Sequence, residues 1–205
     1  GMPVFTAKQI VDWVYNKRVR SIESMSNISL KNREKLSELF EVGYSDPAEA
    51  AYSVDGTIKY LWELKDGNAV ETVVMKYKHG NTVCVSSQVG CRQGCAFCAS
   101  TIGGLVRNLE PSEILDEVLF SELESGSKIS NIVMMGIGEP LDNFDNVMQF
   151  LKLVNHPKGM NIGMRHITIS TCGLTERFEE LAGLDMQFNL AVSLHAPDDE
   201  TRSKI

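Results

Sequence analysis

The stretch Val89-Gly90-Cys91-Arg92-Gln93-Gly94-Cys95-Ala96-Phe97-Cys98-Ala99 decides how the rest of the 205-residue sequence is read. Three cysteines fall within eight residues, separated by three and then two intervening positions. Thiolates hold iron–sulfur clusters, and three on one loop can ligate three irons of a four-iron cubane, leaving the fourth open to a substrate. Gly90 and Gly94 give the backbone freedom to wrap such a group. A structural zinc site wants four ligands in two paired groups, whereas Cys84, Cys172, His166 and His195 stand apart from the cluster of three. A disulfide would leave one of the three thiols over, and secreted disulfide scaffolds pack more cysteines into shorter chains.

The cysteine loop follows a short apolar stretch, 82–86, that reads as a strand. Beyond it, strands at 131–135, 166–171 and 188–194 alternate with helices starting near Pro111, Asn143 and Thr175. Another helix begins at about residue 200. Pro111 in a first turn beside Glu110 suits a helix start. Successive β-α units imply parallel strands joined by right-handed crossovers, an α/β fold.

Upstream, residues 50–78 alternate with a period of two, and Asp55-Gly56 and Asp66-Gly67 supply turns, which predicts an antiparallel β-meander. Nearer the start, Ile10, Trp13 and Val14 fall at helical spacing with Thr6 as N-cap. A second helix is expected from Ser29, with Leu30, Leu36, Leu39 and Phe40 as its apolar side and Gly43 as its end. This divides the chain into a helical unit (1–45), a meander (46–80) and an α/β core (81–205).

Charge is unevenly spread over a formal net of −7. Residues 1–35 hold Lys8, Lys17, Arg18, Arg20, Lys31, Arg33 and Lys35 against Asp12, Glu23 and Glu34, a net of +4 that leaves −11 for the remainder. A basic N-terminal unit can touch phosphates, and it can equally be a solvated helix face. No apolar run is long enough to span a bilayer, and the start lacks a basic-then-apolar leader, so the expectation is a cytoplasmic protein without a membrane partner.

Other blocks extend the picture. Met134-Met135-Gly136-Ile137-Gly138-Glu139-Pro140 ends the second strand of the α/β series. Ligands collect at the carboxyl ends of parallel strands, and a carboxylate there can meet an ammonium group. With the cysteine loop and Phe97 before its third cysteine, this block resembles the radical S-adenosylmethionine enzymes, and implies part of a (β/α) barrel. The resemblance narrows with 84–91 (Cys-Val-Ser-Ser-Gln-Val-Gly-Cys), 169–173 (Ile-Ser-Thr-Cys-Gly) and 193–197 (Ser-Leu-His-Ala-Pro), and with Phe5-Thr6-Ala7-Lys8-Gln9-Ile10 and Glu71-Thr72-Val73. Together these are similar to the radical RNA adenine-C2 methyltransferases, which act on large-subunit ribosomal RNA and, in some members, on tRNA.

That resemblance implies roles residue by residue. Cys91, Cys95 and Cys98 would hold a 4Fe-4S cluster, and Phe97, Gly138, Glu139, Ser170, Ser193, Leu194 and His195 would contact S-adenosylmethionine. Glu71 matches the family's proton acceptor, and Cys84 a cysteine that forms a transient disulfide with a methyl-carrying cysteine near the family's C-terminus. Adenine C2 is unactivated toward simple displacement, so the family employs a methylated cysteine, a second S-adenosylmethionine cleaved reductively, and an external electron donor. The implied partners are ribosomal RNA and tRNA. The family continues past the position of Ile205 with further strands and the methyl-carrying cysteine, so this chain alone is expected not to complete RNA methylation. A C8-specific relative on the same fold and a non-catalytic fragment holding metal through its cysteines remain as alternatives.

Overall fold

A computed structural model describes residues 2–43 and 46–205; Gly1, Tyr44 and Ser45, and with them the boundary expected at 45, lie outside the described residues. The meander forms as expected from β1 (Glu49–Tyr52), β2 (Ile58–Glu63) and β3 (Ala69–Tyr77), each pair antiparallel, and the strand expected at 82–86 to open the α/β series, β4 (Gly80–Cys84), also pairs antiparallel with β3. Asp55 and Asp66 shape its first two turns by accepting the N–H groups of Thr57 and Asn68. A short ribbon of β5 (Gln88–Gly90) and β6 (Leu105–Asn108) follows, which the sequence reading did not contain. The chain then enters β7 (Ile129–Met134), β8 (Ile167–Thr171) and β9 (Asn189–Val192).

These strands make one seven-stranded sheet in the order β1-β2-β3-β4-β7-β8-β9. It is antiparallel up to β4 and parallel from β4 onward, so meander and α/β strands share one sheet. The expected part-barrel is the architecture found.

Two helices precede the sheet. α1 (Val4–Val11) runs into a π-helical turn at Asp12–Asn16, and Pro3 rather than Thr6 occupies its cap; Thr6 lies inside the helix and is buried. α2 (Leu30–Ser37) starts after Ser29 as expected, yet the Ser29 side chain makes no capping bond, and the helix stops well short of Gly43. Its expected apolar side is largely in solvent: Leu30, Leu39 and Phe40 are exposed, and only Leu36 packs inward. The small core here is built instead by Ile22, Met25 and Ile28 from the interhelical segment, because α2 is too short and too charged to bury a face. Arg18 and Arg20 ion-pair with Glu122 and Glu124 and so fasten this unit onto the sheet's first covering helix, α3 (Pro111–Ser125).

α3 opens with a full capping box between Glu110 and Glu113, with Pro111 at its first turn. It and α4 (Phe144–Asn155) bury one face of the sheet. The pleat explains the division: along β3, Val70, Thr72 and Val74 face this core, while Glu71, Val73 and Met75 face the other way and stay half-buried. Trp62 donates to Thr72 at 2.7 Å, and Thr72 meets Ser121 of α3 at 3.1 Å, which links these three buried side chains inside the core. By register, Val73 sits opposite Cys84, Cys84 beside Val133, Val133 beside Thr168, and Ser170 beside Ala191. Glu71, Cys84 and Ser170 therefore belong to the same, helix-free side of the pleat. After β8 a 3-10 turn at Thr175–Arg177 leads into the short α5 (Phe178–Ala182), and α6 (Asp199–Arg202) follows β9. Among the described residues no helix is long and apolar enough to cross a membrane.

Glu117 of α3 is wholly buried, and its Oε2 accepts the N–H of Ser86 at 2.9 Å. Burial, with Glu113 adding to it, pushes its carboxyl well above the ordinary 4.5. A raised acid contributes its full stability below the unfolded value and loses it as pH climbs through the folded one. Glu117→Gln should therefore flatten the fall in unfolding free energy as pH rises above 4.5, as measured by urea denaturation across that range. Glu117→Ala, which strands the buried Ser86 N–H, should cost about 1–3 kcal/mol at any pH.

Candidate active site

The cysteine loop is an excursion from the β5–β6 ribbon. At its base Gly90 takes φ +74°, and a Cβ there would come 2.0 Å from the Gly104 carbonyl oxygen, which instead accepts the Cys91 N–H at 3.1 Å. Inside the loop, the Cys98 N–H reaches the Cys95 carbonyl at 3.0 Å, and the Thr101 hydroxyl donates to the Cys98 carbonyl at 2.9 Å. These bonds fold the loop back so that its thiols look toward the carboxyl ends of β7, β8 and β9.

There the loop closes a cavity of about 560 Å³ lined by Cys91, Cys95, Phe97 and Cys98 on one side. Gly138, Glu139, Ser170, Cys172, Ser193, His195 and Arg202 line the other. Nine of the ten residues expected to hold the cluster or the cofactor thus meet in one place, Ser170 from β8 and Ser193 and His195 from just beyond β9. Leu194 is the exception: it faces solvent and a neighbouring hollow beside Cys172 and Phe178. Glu71 and Cys84 lie on the same side of the pleat but do not line the cavity.

Each wall has its own anchoring. Gly138 takes φ +102°, and a Cβ would sit 2.6 Å from Cβ of Gln88, so the glycine-rich turn packs on the chain's own 85–88 segment as well as bordering the cavity. Glu139 is buried, with Oε1 accepting from the Leu141 N–H at 3.0 Å and Oε2 from the Cys172 N–H at 2.8 Å. The hydroxyls of Ser170 and Ser193 lie 3.2 Å apart across β8 and β9. Phe97 meets the His195 ring edge-to-face with centroids 5.0 Å apart. Glu71 is paired with Lys59 at 2.8 Å, while its backbone carbonyl accepts the Ser86 hydroxyl at 2.9 Å.

Sequence reasoning missed three parts of the site. Gln93, Cys172 and Arg202 line the cavity, and the Cys172 thiol donates to the Gln93 side-chain Oε1 at 3.5 Å. Cys172 was detectable in principle, since it follows the third parallel strand at the end where ligands gather. Arg202 carried no signal of that kind.

All five cysteines are free, so the disulfide implied for Cys84 is not made with any cysteine of this chain. Burial pushes the Cys84 thiol up to about 11, with Glu117 adding to the rise. Burial likewise raises Cys91, and the thiols of Cys95 and Cys98 raise it further, which puts the three within electrostatic reach of one another. Burial and then Glu139 push Cys172 up to about 12. Among the described residues no three His, Cys, Asp or Glu side chains are gathered tightly enough to hold a single metal ion. Three soft thiols spread along one cavity wall instead fit a group in which each takes its own iron.

Comparison with known proteins agrees with this geometry. The profile of the Radical SAM superfamily matches residues 85–205, and that of the ribosomal RNA large subunit methyltransferase N-terminal domain matches residues 1–42. The chain is 54% identical over 202 residues to a probable dual-specificity RNA methyltransferase RlmN of Clostridium novyi, covering 98% of this chain and 59% of that one. A protein of the same name from Clostridium perfringens is 55% identical over the whole chain, again with 59% of its own length covered. The chain thus spans about three-fifths of the length of these curated relatives. A crystal structure of a radical SAM methyltransferase from Sphaerobacter thermophilus superposes with a TM-score of 0.93 at 40% identity, covering all of this chain and 61% of that one. With a cysteine loop facing the ends of parallel strands and relatives this similar along its whole length, the chain belongs to the RlmN family of radical SAM RNA methyltransferases.

Proposed function

We propose that this chain carries the cofactor-activating part of an enzyme that methylates C2 of an adenine in 23S ribosomal RNA, and of one in tRNA, through a methylated cysteine. The observation that supports this most is the meeting of Cys91, Cys95 and Cys98 with Glu139, Ser170, Ser193 and His195 around one cavity. When bound there, a reduced 4Fe-4S cluster supplies the electron that splits the sulfonium of S-adenosylmethionine, an electron delivered by an external donor.

The residues of this chain have definite tasks under that reading. Cys91, Cys95 and Cys98 offer thiolates from a loop whose backbone is already closed. Glu139 keeps its carboxylate fixed through two backbone N–H groups and retains lone pairs for an ammonium group. Ser170 and Ser193 offer adjacent hydroxyls, and Phe97, with the His195 ring set edge-to-face against it, offers aromatic surface to a purine or sugar. Gly138 and Leu194 contribute backbone rather than side chain. Glu71 acts as proton acceptor once Lys59 yields its contact, and Cys84 as the thiol that later forms the transient disulfide. Residues 1–45 contact RNA: Phe5 and Phe40 stand exposed on a unit that also carries Lys8, Lys31 and Lys35, the pairing of flat apolar rings with cations that suits a nucleic-acid surface. The thiol chemistry suits the reducing cytoplasm.

Anaerobic reconstitution with iron and sulfide should give a brown protein whose spectrum shifts on adding S-adenosylmethionine and which releases 5′-deoxyadenosine on reduction. Replacing Cys91, Cys95 and Cys98 together by Ala should abolish all three signals; a colourless zinc protein would sink the reading. Mapping the methyl group in RNA treated with the complete gene product decides between C2 and C8. Cys84 supplies a separate check. With its thiol near 11, alkylation by iodoacetamide should climb about tenfold per pH unit between pH 7 and 10, and a plateau reached before pH 9 would contradict its buried setting.

A further inference from the structure

Arg202 enters the cavity wall from α6, away from every block that resembles the family's cofactor contacts. Its position is set locally. Asp198 caps the turn by accepting the Thr201 N–H at 2.8 Å, and the Arg202 N–H returns to the Asp198 carbonyl at 2.9 Å. The side chain then reaches back over the sheet. Nη1 donates to the carbonyls of Ser193, at 2.9 Å, and Leu194; Nη2 donates to the carbonyl of Cys172 at 2.7 Å. One guanidinium therefore bridges the ends of two neighbouring parallel strands, which its fixed fork of donors allows and a lysine ammonium cannot reproduce in that plane.

What it fastens is the cofactor side of the cavity. Ser193 and Ser170 share a hydroxyl contact between those same strand ends. His195, immediately after the clamped carbonyls, holds a left-handed backbone with φ 57°, a conformation a non-glycine residue keeps only when its surroundings enforce it. That backbone is what turns the imidazole onto Phe97 of the cysteine loop.

We propose that Arg202 is a positioning residue of the S-adenosylmethionine site: by binding the carbonyls of residues 172, 193 and 194 it sets the 193–195 turn against the cysteine loop. The proposal rests on the functional reading above and deepens it. Two measurements on Arg202→Met and Arg202→Lys test it. The first is amide hydrogen exchange of the metal-free chain. Arg202→Met should speed exchange in peptides spanning 190–197 by about tenfold or more while leaving β2 and β3 unchanged. The second is the dissociation constant of S-adenosylmethionine for the reconstituted chain, which should rise at least about tenfold in Arg202→Met and less in Arg202→Lys, with the cluster absorbance retained. Unchanged exchange in 190–197 overturns the anchoring role. Faster exchange with unchanged affinity overturns the link to the cofactor, as does an affinity loss that merely tracks a global rise in exchange. If the unaltered chain binds no S-adenosylmethionine, the functional reading falls and the cofactor role of Arg202 with it, while the exchange data still decide whether Arg202 anchors the turn.

Discussion

The wholly buried side-chain amide of Gln88 ties the two halves of the cavity together. Its Oε1 accepts the Glu139 N–H at 2.9 Å, and its Nε2 donates to Asn108 and to Asp142, each at 2.8 Å. Asn108 belongs to β6, the strand that brings the cysteine loop home, and Asp142 also receives Arg92 from within the loop at 2.8 Å. Asn143 adds two more bonds, to the carbonyls of Ser87 and Leu109. A buried amide left half-satisfied would cost more than it contributes, so a network this complete holds loop and glycine-rich turn in one register.

Around that tie the electrostatics run in one direction. The carboxyl of Glu117 and the thiols of Cys84, Cys91 and Cys172 are all pushed toward their neutral forms, and burial is the first cause in every case. Of the three thiols on the cysteine loop, that of Cys91 is the one burial holds toward its neutral form. A metal taken up by Cys91 would displace that proton, which couples its loading to pH.

Much of this was legible in the sequence, and the reasons differ by region. The cysteine spacing, the Asp-Gly turns, the capped start at Glu110-Pro111 and the four parallel strands rest on local chemistry that survives folding intact. The N-terminal unit misled because helical spacing of Leu30, Leu39 and Phe40 says nothing about whether a partner surface exists; the chain buries Ile22, Met25 and Ile28 there instead. The β5–β6 ribbon escaped notice because its strands are very short and their pairing depends on Gly90 and Gly104 approaching each other. Asn143 was expected only as a helix start, whereas its amide spends its donors on distant carbonyls. Arg202 was invisible because its partners are backbone atoms, which leave no trace in residue identity.

The β5–β6 ribbon also differs from the opposite wall of the cavity in how local its pairing is. Its pairing joins residues at most twenty apart, such as Gln88 with Asn108, whereas β7, β8 and β9 reach the same cavity from much later in the chain. Short loops close in well under a microsecond and hairpins in microseconds, while parallel pairings wait on long crossovers. The three thiols therefore sit on the most locally paired element of the cavity, and the opposite wall on elements whose pairings span far more of the chain.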